Sequence, residues 1–188
     1  MAQIEGIVEH LIRWETGTFR KQDESLKSLY LRARAKGVSS LEGDTGGDTC
    51  VGVTLATYKQ FNNGKGDRKA LGNMSYQTWL SILKDGFWDR WQADRIDNQS
   101  VANMLVDWLW HSGIYGIKLP QRVIGVTADG IVGDKTIGAI ALWNSETLFS
   151  ALKAERLAYV NRLAAARYEN MRFLAGWENR INSIAYVP

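Results

Sequence analysis

Trp14-Glu15-Thr16-Gly17 closes the first amphipathic stretch of this chain, and Asp44-Thr45-Gly46-Gly47-Asp48-Thr49-Cys50-Val51-Gly52-Val53-Thr54 is its glycine-rich turn. The two together decide how the chain is read. Ile4, Ile7, Val8, Leu11 and Ile12 recur at three- and four-residue spacings, which is one apolar face of a helix. Glu5, Glu9 and Arg13 fall mostly on the opposite face. Thr16-Gly17 ends that helix, because glycine accepts the positive φ of a C-terminal cap. The second stretch holds too many glycines for a regular element, so a loop or short β-hairpin is predicted.

A carboxylate where a helix stops, facing a polar turn with two more carboxylates, is what glycosidic hydrolysis needs. One acid protonates the leaving oxygen; a second group handles water or a developing cation. A general acid works only while it holds its proton, which near neutral pH calls for apolar surroundings. Trp14 and Phe19 are the local candidates. Glu15 also reads as a solvated last-turn residue, and Asp44 and Thr49 as ordinary turn residues bonding nearby backbone N–H groups.

The 188 residues suffice for one compact domain, or for two small ones sharing a core. The eight tryptophans are expected mostly in the core, although indole faces also stack on sugars. A net charge of +3 without a dense Lys/Arg run gives no sign of nucleic acid and suits an anionic polymer such as a bacterial wall. Cys50 is the only cysteine, so no internal disulfide forms; a small buried side chain is expected there rather than a nucleophile. Two histidines and one cysteine argue against a Cys/His zinc site. No stretch reaches the about 20 apolar residues of a membrane span. MAQIEGIVEH lacks the pattern of a signal peptide. The expectation is a protein made in the bacterial cytoplasm without that address.

Further along, residues 20–40 are polar and partly helical, with Leu26, Leu29 and Tyr30 in helical register and Gly37 as a stop. Thr54 caps a predicted helix over Leu55–Phe61, with Leu55, Tyr58 and Phe61 inward. Ser75 caps another over Tyr76–Leu83. Asn98 opens the longest apolar helix, where Asp107 and His111 are spaced to pair across one turn. Gly113 and Gly116 are read as breaks, and Leu119–Ile124 as a brief resumption. Asp129-Gly130-x-x-Gly133-x-x-Thr136 reads as a tight turn before a capped helix, with wall binding as the alternative. A long helix over Ser145–Arg172 and a last one over Glu178–Ile184 complete the expectation.

The turn running from Asp44 to Tyr58 resembles the active loop of glycoside hydrolase family 108, and Glu15-Thr16-Gly17-Thr18-Phe19 is similar to the helix end that precedes it there. Leu109-Trp110-His111-Ser112-Gly113, Gly125–Thr136 and Gly176-Trp177-Glu178-Asn179-Arg180 resemble the predicted peptidoglycan-binding segment paired with that family. The motifs come in the family's order and span nearly the whole chain. The gap between Glu15 and Asp44 is longer than the family's, so the polar segment 20–40 looks like an insertion at the rim of the cleft. Glu-Thr-Gly replaces the family's Glu-Gly-Gly, and Cys50 replaces its Asn.

The resemblance implies a mostly α, lysozyme-like helical fold with one small β-hairpin or irregular loop at the active site. Residues 1–97 would be the catalytic region and 98–188 a peptidoglycan-binding helical region. The implied function is that of a phage-endolysin-like N-acetylmuramidase; the family is also described as secretion activator proteins. Glu15 would be the general acid, with Asp44 and Thr49 as catalytic partners and Asp48 as the competing carboxylate. Asp48, Thr54, Trp14 and Phe19 would line the substrate site. No metal or organic cofactor is implied. The partner is bacterial peptidoglycan, met by a monomer at the periplasm or wall. The alternatives are a wall-binding or secretion-associated protein without catalysis, and a lytic transglycosylase.

Overall fold

The computed structural model describes residues 1–40 and 47–188. Among the described residues the chain is mostly helical, with a single pair of two-residue strands. The mostly α, lysozyme-like expectation is met. The chain divides into two compact units, residues 7–86 and residues 87–188 with 1–6.

The first unit takes most of helix α1, Glu5–Thr16. Ile7, Val8, Leu11 and Ile12 are all fully buried, so the predicted face is the real one. The helix stops where expected: Gly17 has φ +63°, and its N–H reaches Arg13 O at 2.7 Å. Helix α2, Leu26–Arg34, is capped by Ser25. It is not a rim appendage. Leu29, Tyr30 and Ala33 are buried, the Tyr30 hydroxyl donates to Met74 O at 2.8 Å, and its ring lies 5.6 Å from that of Trp79. Leu29 and Tyr30 are the residues in helical register in the sequence, and Ala33 at i+4 extends their stripe.

Strands β1, Thr49–Cys50, and β2, Val53–Thr54, pair antiparallel, with Thr49 opposite Thr54. Val51 and Gly52 turn between them with φ +46° and +77°, the double positive φ of a primed hairpin turn. A β-branched residue is strained there. The Trp79 indole N–H holds the Val51 carbonyl at 2.9 Å, which anchors the turn. Thr54 then caps α3, Leu55–Phe61. The inward face expected of α3 is partial: Leu55 and Tyr58 are half-buried while Phe61 is exposed, and no residue of the helix is fully buried. Helices α4, Arg68–Gly72, and α5, Tyr76–Leu83, complete this unit.

The second unit is built on α6, Gln99–Ser112, which buries nine residues. Gly113, at φ +54°, ends it, but Gly116 is not a break. It lies inside α7, Tyr115–Ile124, where an added Cβ would sit 2.4 Å from the Leu109 backbone nitrogen. Glycine is there for close helix packing. Helix α8 spans Asp134–Ala141. Helix α9 spans Ser145–Ala166 and α10 spans Met171–Ser183, so the long helix predicted through Arg172 ends early. Gly176 lies within α10 rather than before it. The Asp107 carboxylate takes the guanidiniums of Arg156 and Arg180, each at 2.7 Å, partners that its spacing to His111 did not reveal.

The Gly125–Thr136 turn is closed from within. Gln121, fully buried, accepts from Gly130 N at 2.8 Å and donates to Asp129 and Ile131 O at 2.9 Å. Gly130 has φ +84°, and a Cβ there would meet Ile114 at 2.7 Å. Its structural reading is therefore sufficient. Gly133 has no neighbour within 4 Å of an added Cβ.

Candidate active site

Glu15 sits half-buried on the last turn of α1. Leu11 and Ile12, one turn earlier on the same face, are anchored in the core. The helix end is held by side chains as well. Thr16 Oγ1 donates back to Ile12 O at 2.6 Å, and the Thr18 hydroxyl lies within hydrogen-bond distance of it at 2.9 Å. Lys36 Nζ donates to Thr16 O at 2.5 Å, placing a cation at the negative end of the helix, where it is favourable. Three residues later, Ser39 exchanges two backbone hydrogen bonds with Thr49, at 2.9 and 2.8 Å. Lys36 and Ser39 thus link the Glu15 helix end to the strand pair, across a segment that spans about 10 Å when extended.

Trp14 is half-buried and Phe19 is 62% exposed. The Arg13 guanidinium lies over both rings, 5.7 and 4.7 Å from their centroids. Phe19 therefore sits at the surface under a cation. Asp44 lies outside the described residues. Asp48 is half-buried and paired with Arg68, whose second nitrogen donates to Val38 O at 3.0 Å. Thr49 Oγ1 reaches Gly47 O at 3.4 Å, a long bond that leaves the hydroxyl accessible. Thr54 Oγ1 accepts from Thr57 N at 3.1 Å, so its hydroxyl does the work of a helix cap. Cys50 is buried, and that burial raises its thiol pKa, the opposite of an activated nucleophile.

Arg68 and Lys36 were absent from the sequence reading. Both sit among other basic residues in polar stretches, Lys36 after Arg34 and Arg68 before Lys69, and no periodicity marks them.

The loop after Glu15 is organised by a third carboxylate. Glu24 takes Arg32 at 2.7 and 2.8 Å and the Lys21 N–H at 3.0 Å. The Arg32 bond first, then the Lys21 N–H, bring its pKa from 4.5 down to about 2. A carboxylate with a lowered folded pKa stabilises fully above its unfolded value, and that contribution is lost as pH falls toward the folded one. The stability gap between wild type and Glu24→Gln is expected to shrink between pH 4.5 and about 2. Urea midpoints at pH 6 and pH 2.5 check this; a gap that does not change with pH contradicts it.

Half of the eight tryptophans are fully buried: Trp79, Trp88, Trp91 and Trp108. Trp14, Trp110, Trp143 and Trp177 are only partly covered. On α10, Phe173 and Trp177 stack at 5.9 Å and 28°. The exposed His111 meets Trp177 edge-on at 6.1 Å, and Arg172 lies 4.5 Å over the Phe173 ring. This is an aromatic face with one arginine over it on the second unit.

Residues 30–113 match the glycosyl hydrolase 108 family, and residues 115–182 match a predicted peptidoglycan domain. Both resemblances read from the motifs are borne out. Among solved structures, SagA of Brucella abortus superimposes with a TM-score of 0.65 at 23% identity. The match covers 84% of this chain and 96% of that one, and at that identity it speaks for the fold. No curated protein sequence matches. The chain thus carries a region matched by a glycoside hydrolase family followed by one matched by a predicted peptidoglycan domain, and this pairing supports a peptidoglycan-related hydrolase. No helix among the described residues is long and apolar enough to cross a membrane.

Proposed function

We propose that this chain, a glycosyl hydrolase 108 region followed by a peptidoglycan domain, cleaves the β-1,4 bond between N-acetylmuramic acid and N-acetylglucosamine. Glu15 is the general acid. The observation that carries this reading is the half-buried Glu15 on a helix end tied through Lys36 and Ser39 to the strand bearing Thr49. A rigid acid beside a polar hairpin keeps the reacting groups in register, and that saves reorganisation in the transition state.

In this reading Glu15 gives its proton to the glycosidic oxygen as the bond breaks. Asp44, with the Thr49 hydroxyl, orients the attacking water or faces the positive charge on the sugar. Asp48 is engaged by Arg68, so it is assigned to shaping the hairpin and its substrate side rather than to activating water. Thr54 contributes by fixing α3 behind the strands, and Trp14 and Phe19 border the sugar path. The catalytic work falls to residues 1–97 and wall binding to residues 98–188, where the Phe173–Trp177 face offers rings to sugars and Arg172 offers a charge to stem-peptide carboxylates. The protein acts as a monomer at the wall.

Digestion of purified peptidoglycan, followed by mass spectrometry, tests this. Fragments with reducing muramic acid ends are expected. Ends of the 1,6-anhydro type overturn hydrolysis in favour of a lytic transglycosylase. One observation favours a second reading, wall binding without catalysis: the family match begins at residue 30, after Glu15. Sedimentation with the wall and no released fragments selects it.

A further inference from the structure

We infer that Arg68 is a positioning residue that, through Asp48, clamps together the two chain segments flanking residues 41–46 and so holds the hairpin and Thr49 in place for the reaction. This rests on the hydrolase reading above. One guanidinium serves both segments: it pairs with the Asp48 carboxylate on the far side and donates to Val38 O on the near side at 3.0 Å. Beside it, Ser39 and Thr49 exchange backbone hydrogen bonds at 2.9 and 2.8 Å. The clamp is mounted on a built support. Helix α4 is capped by Asp67, whose carboxylate accepts from Ala70 N at 2.8 Å. Gly72, one turn on from Arg68, lets the Val38 side chain approach to 3.1 Å of where a Cβ would stand.

The chemistry calls for arginine. A planar fork with several N–H donors holds a carboxylate and a carbonyl at once in fixed directions, whereas a lysine ammonium is a compact point charge on a flexible stem. Asp48 has 21% of its side chain exposed and Arg68 has 53%. The carboxylate is therefore the more constrained partner, and the guanidinium faces the open depression lined by Val38, Lys69 and Asn73. Arg68 does not touch the reacting bond in this scheme. It acts through Asp48 and through the register of the Ser39–Thr49 bridge.

The test compares the full-length wild type with Arg68→Ala, Arg68→Lys, Asp48→Asn and the Arg68→Ala/Asp48→Asn pair. Kinetics are measured on soluble peptidoglycan strands, and amide exchange is followed at Ser39 and Thr49. Arg68→Ala is expected to lower kcat about tenfold with KM within about twofold, the signature of an interaction that matters only in the transition state. Arg68→Lys is expected to recover part of that loss. The double variant is expected to be no slower than Asp48→Asn, because coupled residues are not additive. Exchange at Ser39 and Thr49 is expected to quicken about tenfold in Arg68→Ala, the coupling expected of groups in one network.

Unchanged exchange in a folded Arg68→Ala overturns the clamp, as does an unchanged kcat in an active enzyme. If Arg68→Ala does not fold, Arg68→Lys carries the same two readouts. If the wild type releases no fragments, the hydrolase reading fails by itself. Exchange alone then decides the clamp.

Discussion

Glu15→Gln is expected to slow the solubilisation of purified peptidoglycan by about 10²–10⁴-fold, the range that a positioned general acid contributes. At about 1.4 kcal/mol per decade, this corresponds to roughly 3–5 kcal/mol of transition-state stabilisation. Glutamine keeps the shape and the hydrogen-bonding reach of the side chain but has no acidic proton to give. The fold has little reason to respond. The residue is half-buried at a helix end, while the core contacts of α1 come from Ile7, Val8, Leu11 and Ile12. Circular dichroism is therefore expected to be unchanged and the melting temperature to move by only a few degrees. A folded variant that clears the wall within threefold of the wild-type rate removes Glu15 from the mechanism. Asp44→Asn and Asp48→Asn, measured beside it, separate the two remaining carboxylates. The larger loss is expected at Asp44, because Asp48 is already committed to Arg68.

The second large effect concerns stability and lies elsewhere in the chain. Asp107→Asn is expected to cost about 3–5 kcal/mol, the usual penalty for leaving a buried charge without its partner. Asp107 is fully buried, and the side chains of Arg156 and Arg180 are 1% and 7% exposed. Both guanidiniums stay charged in a protein interior, so one carboxylate offsets two cations. Its removal takes that negative charge from both, and beside Arg156 lies the apolar Trp108 ring, 5.9 Å from the guanidinium carbon. Urea denaturation reads the loss directly as a shift in midpoint at constant slope. A cost below about 1 kcal/mol contradicts the argument. Replacing all three residues by apolar ones of similar volume is expected to cost far less than Asp107→Asn, since a buried network is expensive to break and cheap to replace.

The local elements were legible in the amino-acid sequence because their causes are local. Ile7, Val8, Leu11 and Ile12 carry the helical period, Gly17 ends it, and Ser75, Thr54 and Asn98 each cap the helix that was read after them. The hairpin came from glycine density, and the family from motifs in order. Packing decided the rest. The α2 stripe of Leu29, Tyr30 and Ala33 is core because Tyr76, Trp79 and Met74 come to meet it. Gly116 looks like a break in the sequence because its need is steric and lies on another helix, at Leu109. The same limit holds at the candidate site. Glu15, Asp48, Thr49 and Thr54 could be nominated from their own neighbourhoods. The cations that serve them, Lys36 on the helix end and Arg68 on Asp48, could not. Each is 20 residues from its partner, and charge pairing over that separation leaves no period in a sequence. Short-range causes determined the helices, their ends and the turn. Contacts between residues far apart in the chain decided which polar side chains hold the site in place.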